Sequence, residues 1–235
     1  WNGTNWTEIN DMNTSARYLR GVGTQSDALG FGGLGPPGAL SKTESWNGTS
    51  WFELNDLNTG RYLMGGAGNA TLALAIGGDT GTKQSLTESW NGAVWTETNN
   101  LNITRGYLGG AGTQTTALAF GGLDSSSAVT AATEEWNAGI SVGAWVSGGN
   151  MNQQRGALAG AGTSRNSAIV FGGTNNPPVF ANTEQYNGTA WAEINDMNEG
   201  RNRLAGCGTV TSALAMGGSP ADSPGRSAKV ESWNG

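Results

Sequence analysis

The chain has no histidine, one cysteine and few charges: of its 235 residues only 13% are Asp, Glu, Lys or Arg. The missing histidine removes the commonest general base, the commonest metal ligand and the usual partner of a nucleophilic Ser or Cys. One cysteine excludes an intrachain disulfide, so the fold must stand on its core. Cys207 falls at the repeat position of Val22, Ala67, Ala111 and Ala161 and reads as a small apolar residue. No apolar run approaches the ~18 residues of a membrane helix. Twelve basic residues against 18 acidic ones leave a net charge of −6 with no basic run, which argues against nucleic acid as a partner. No signal peptide is visible and the chain opens on Trp, so a processed or excised piece is expected.

What is abundant is glycine, 40 residues, and tryptophan, 10 residues. The glycines follow no G-X-Y period, which excludes collagen. The aromatics argue against disorder. Asn, Thr and Ser cover the surface in place of charge. Above all, Trp-Asn-Gly recurs: copies start at Trp1, Trp46 and Trp90, degenerate ones at Trp136 and Tyr186, and a truncated one at Trp233. The steps are 45, 44, 46, 50 and 47 residues, a period that signals stacked repeats. The units are 1–45, 46–89, 90–135, 136–185 and 186–232, with 233–235 restarting the phase, all in one domain over 1–235.

Each unit reads as four short strands, a to d. In the second, residues 61–68 are small and apolar, 71–76 form a buried apolar run stopped by Gly77-Gly78, and 86–90 and 94–97 flank Asn91-Gly92. Asn-Gly is a strong hairpin signal because both residues tolerate positive φ. Four antiparallel strands per ~45 residues is the arithmetic of a propeller blade. The expected fold is therefore all-β, a single five-bladed β-propeller with four antiparallel strands per blade. Closure is expected from a lone N-terminal strand d, residues 5–9, joining C-terminal strands a–c.

The order of apolar strand, Gly-Gly, loop, aromatic, hairpin, Trp, Met or Leu and Arg resembles the kelch repeat. In one unit it reads Phe120-Gly121-Gly122, Trp136, Trp145, Met151 and Arg155. The resemblance spans all five units, with two departures. Kelch rings usually have six or seven blades, and strand c here carries Trp in four repeats where kelch usually has Tyr. The repeat wording is also similar to that of predicted surface and tail-appendage proteins of marine phages.

Repeated residues are economically explained by what every blade must do. Glu44, Glu88, Glu134, Glu184 and Glu231 precede the strand c aromatic by two. Arg61, Arg105, Arg155 and Arg201 open strand a, with Arg17 one place out of register. Both sets, and the paired Trp, read as scaffold. The Asn-Asp turns at 10–11, 55–56 and 195–196 lack the ligand comb of a calcium loop, so no metal and no cofactor are expected.

What fails to repeat is the candidate site. The b–c loops, 34–41, 79–84, 123–128, 174–180 and 219–227, differ in every blade and share a face with the d–a linkers. Near the channel mouth one position holds Tyr18, Leu63, Tyr107, Ala157 and Arg203, and its neighbour holds Arg17, Tyr62, Gly106, Gly156 and Asn202. Arg20 stands where the other blades have Gly or Ala. Tyr and Arg are enriched in binding hot spots, so Arg17, Tyr18, Arg20, Tyr62, Tyr107 and Arg203 are the predicted ligand-binding residues.

The expected function is non-enzymatic recognition of a glycan or protein by an extracellular or virion-surface protein that assembles with other such proteins. The alternative is a decorative scaffold with no ligand. The resemblance also brings in enzymes of the galactose-oxidase type, but that chemistry needs copper held by His and Tyr, and this chain has no His.

Overall fold

A computed structural model describes residues 4–139, 143–221 and 225–235; Trp1-Asn2-Gly3 and part of the fifth b–c loop lie outside them. The described residues hold no helix. Five antiparallel sheets follow the repeat and form a five-bladed propeller. Blade 1 runs Arg20–Gly23, Ala28–Phe31, Thr43–Trp46 and Trp51–Glu53; blade 2 runs Gly65–Gly68, Ala73–Ile76, Thr87–Trp90 and Trp95–Thr98. Blade 3 runs Gly109–Gly112, Thr116–Phe120, Thr133–Asn137 and Ala144–Ser147; blade 4 runs Ala159–Ser164, Ser167–Phe171, Thr183–Tyr186 and Trp191–Ile194. In each, neighbouring strands pair in chain order, a–b–c–d.

Strand a lines the axis, and its glycines answer close approach. A Cβ on Gly110 would stand 2.7 Å from the backbone nitrogen of Gly66 in the adjacent blade. The c–d turn is tighter in its demands than the sequence suggests. Only its Gly takes positive φ, 92° at Gly48, while Asn47 Oδ1 accepts the N–H of Thr49 and of Ser50. The asparagine side chain thus builds an Asx turn instead of entering the left-handed region.

The core lies in the junctions between blades, one apolar cluster each at 1–2, 2–3, 3–4 and 4–5. The Trp pairs are its centre. Trp90 and Trp95 have ring centroids 5.4 Å apart, and Trp136 and Trp145 5.5 Å; such pairs add about 0.5–1.5 kcal/mol beyond area burial. The strand d indole also reaches back to the preceding blade. Trp95 Nε1 donates to Thr43 Oγ1, Trp145 Nε1 to Thr87 Oγ1 and Trp191 Nε1 to Thr133 Oγ1, at 3.0–3.1 Å.

The repeated charges pair within each blade. Arg105 Nη2 donates to Glu134 Oε1 at 2.8 Å, and its Nη1 donates to the carbonyls of Gly121 and Ala132. The pair is fully buried. Glu134 Oε2 accepts Asn102 N and Nδ2. Arg61–Glu88, Arg155–Glu184 and Arg201–Glu231 repeat the arrangement. Burial pulls the Arg61, Arg105 and Arg155 guanidiniums down and the partner Glu holds them up. Blade 1 departs from this: Ala16 stands where the others have Arg, and Glu44 is held by Asn13 and Thr14.

The closure expected from the sequence differs from the structure. The fifth sheet has three strands, Ala205–Thr209, Ser212–Met216 and Val230–Trp233. Residues 5–9 form no strand, and Trp6 is 57% exposed. The place it would take, beside Phe171, Thr183 and Trp233, is a cavity of about 80 Å³. The physical reason is that strand d joins a blade only if that blade meets its neighbour. Gly32, Gly77, Gly121 and Gly172 each lie within 2.8 Å of the next blade's Arg carbonyl when given a Cβ. Gly217 would meet only its own blade's Ser227. Among the described residues no backbone hydrogen bond joins blade 5 to blade 1.

Candidate functional site: the channel mouth

The site is built by one backbone device used five times. Tyr18, Leu63, Tyr107, Ala157 and Arg203 all take left-handed backbone, with φ of 52–58°. For an L-residue this costs roughly 1–2 kcal/mol. A hydrogen bond to the next blade offsets it: Leu63 N donates to Tyr18 O, Tyr107 N to Leu63 O, Ala157 N to Tyr107 O and Arg203 N to Ala157 O, at 2.7–3.1 Å. The device fixes the backbone and leaves the side chain free to vary. Those side chains ring the axial channel where it opens on the b–c face.

The structure brings four of the six predicted residues together. Tyr18, Arg20, Tyr107 and Arg203 line one cavity of about 260 Å³, floored by Leu19, Met64, Leu108, Leu158 and Leu204. Arg17 stands at its rim, with the guanidinium carbon 5.5 Å from the Tyr18 ring centre. Its backbone pairs with Leu34 at the start of the first b–c loop. Arg17 also borders a second hollow of about 570 Å³ on the same face, walled by Leu34, Pro36 and Pro37.

Tyr62 lies outside the channel cavity. Its backbone pairs with Asp79, and its hydroxyl lies in the field of the Asp79 carboxylate. Burial, then the Asp79 charge, raises the Tyr62 phenol above its ordinary value. Asp79 is buried and accepts Lys83 Nζ and Gly81 N, both at 2.7 Å. Lys83 Nζ in turn stands 5.5 Å from the Tyr107 ring centre. Asp79 and Lys83 therefore join Tyr62 to the mouth. Sequence reading reached their loop as variable but singled out neither residue; the Asp-to-Lys spacing of four was the available signal.

Arg20 is the deepest of the set. It crosses the channel to blades 2 and 3, where Nη2 donates to Gly66 O at 3.3 Å and Gly110 O at 3.2 Å. A Cβ on Gly66 would sit 2.6 Å from Arg20 Cγ, so the glycine makes room for the arginine. The channel beyond it is a further cavity of about 340 Å³ lined by the glycines of strand a.

No family model and no curated protein matches the chain. Solved structures do. One of them, described as "Structure of YjhT", superposes with a TM-score of 0.77 over 97% of this chain and 84% of its own, at 13% sequence identity. At that identity the likeness concerns fold alone, and it agrees with the propeller.

In chemical terms the mouth offers two aromatic faces, each with a cation beside it, and two further guanidiniums. That is equipment for holding a ligand by stacking and charge.

Proposed function

We propose that this protein is a non-enzymatic recognition propeller that engages a glycan or protein surface through the b–c and d–a face. The observation that carries this is the asymmetry of the mouth. Five positions share one backbone conformation, with φ between 52° and 58°, yet present Tyr, Leu, Tyr, Ala and Arg. The scaffold demands of these positions are met by their N–H and C=O groups, so the side chains serve something else. The repeated Trp, Arg and Glu, by contrast, are consumed inside the blades. A kelch-like lineage and a place on a virion or other extracellular surface fit the low charge and polar, Asn- and Thr-rich exterior, and belong to the same proposal.

A glycan array read alongside a thermal-shift screen tests it. A ligand whose binding is lost in Tyr107→Ala and Arg203→Ala, with the melting temperature kept, is the expected result. Binding at five equivalents per chain would point to repeated blade pockets and overturn the mouth. Finding no ligand, with the chain seated in an assembled particle, would favour a scaffold that carries none.

A further inference from the structure

Every buried arginine of the repeat set has its carboxylate: Arg61 has Glu88, Arg105 has Glu134, Arg155 has Glu184 and Arg201 has Glu231, at 2.6–2.8 Å. Arg20 has none. Its Nη2 makes two long bonds to carbonyls, and its Nε, like that of Arg105, Arg155 and Arg201, is buried with no hydrogen-bond partner, so the missing carboxylate is what sets it apart. A half-buried cation without a counter-ion is costly to hold, and here the fold makes room for it beside Gly66. Around it the chain, acidic overall at −6, places Arg17, Lys83 and Arg203 at the same mouth, and among the described residues only Lys83 of these three has an acidic partner, Asp79. Burial pulls the Arg20 guanidinium down from the ordinary arginine range, with no carboxylate to oppose it.

Resting on the recognition reading above, we propose that the mouth takes a carboxylate-bearing sugar residue, with Arg20 as the counter-ion of the carboxylate and the Tyr18 and Tyr107 rings as its walls. The cavity of about 260 Å³ lies just below the ~300 Å³ at which drug-sized sites begin, which suits a single ring. Flat aromatic walls above an apolar floor of Leu19, Leu108, Leu158 and Leu204 suit the C–H face of a sugar ring better than an extended acidic peptide, which presents no such face.

The test is calorimetric titration with three probes: oligogalacturonate, its fully methyl-esterified form, and hexaglutamate. Binding of the acid sugar alone, weakened by added salt and roughly ten- to a hundredfold in Arg20→Met, is the expected outcome. Arg20→Lys should recover part of the loss, and both variants should keep the wild-type melting temperature within a few degrees. Equal binding of acid and ester at the mouth would overturn the anionic requirement while leaving the recognition site standing. Hexaglutamate binding without the sugar would overturn the sugar. No binding of any probe would overturn this inference, whereas a neutral ligand found on the array and lost in Tyr107→Ala would still uphold the recognition reading.

Discussion

Changing Glu134 to Gln removes one charge from the centre of blade 3 and nothing else in shape. The Arg105 guanidinium beside it is fully buried, donates at 2.8 Å to the lost carboxylate, and has only neutral carbonyls as its other partners. Leaving a buried cation without its counter-ion costs about 3–5 kcal/mol. For a chain of this length each kcal/mol lowers the melting temperature by about 2–4 °C, so Glu134→Gln should melt roughly 6–20 °C early. Glu44 supplies the control within the same molecule. It is equally buried and accepts Asn13 N, Asn13 Nδ2 and Thr14 N, but Ala16 occupies the arginine's place. Glu44→Gln strands no cation, and its cost is that of weakened hydrogen bonds, about 1–2 kcal/mol. Calorimetric melts of the two variants side by side measure the difference. Equal losses would refute the claim that charge pairing, as distinct from hydrogen bonding, is what the repeated Arg and Glu supply.

Three further outcomes are expected. Thr87→Val deletes the acceptor of Trp145 Nε1 and should cost about 1–3 kcal/mol; a double-mutant cycle with Trp145→Phe should show coupling between the two, and additive losses would argue against the bond. The Tyr186 phenol is pushed up to about 12, first by burial and then by its hydrogen bond to Glu135. The fold favours the neutral phenol, so this stabilisation is complete below the ordinary tyrosine value near ~10 and is lost as pH rises through about 12. Alkaline melts of Tyr186→Phe should fall less steeply over that window than those of the wild type. Amide exchange followed by mass spectrometry should open Ala205–Thr209 before Gly109–Gly112, because the latter strand is flanked by a blade on each side and the former by one; the reverse order would mean that the seam is held.

Much of the architecture was legible because it rests on chemistry that repeats. Gly77-Gly78, Trp90, Asn91-Gly92 and Trp95 announce strand ends, hairpin and core with residue types that few other structures need at that spacing. The roles of Arg105 and Glu134 followed from their presence in almost every unit. The left-handed position was not legible, since Tyr18, Leu63, Tyr107, Ala157 and Arg203 share no residue type and none is Gly or Asn. Its conformation is imposed by the neighbouring blade, a tertiary fact. The state of the seam was hidden for the same reason: residues 5–9 carry the pattern of a strand d, but pairing depends on how far four junctions wind around the axis. The mouth residues were reachable through their failure to repeat, whereas Asp79 and Lys83, acting through Tyr62 and Tyr107, show their part only once the loop is folded.

The bonds from each strand d indole to the threonine behind it run in one direction only. Blade 2 holds blade 1, blade 3 holds blade 2 and blade 4 holds blade 3. At the equivalent place in blade 5 the threonine is replaced by Val230, which has no hydroxyl to offer. The chain therefore behaves like a row of couplings with a distinct front and rear, in which the same threonine-to-indole bond recurs at three successive joints. The unmatched front and rear of that row meet at the seam, where blade 5 lacks the hydroxyl that blade 1 would need.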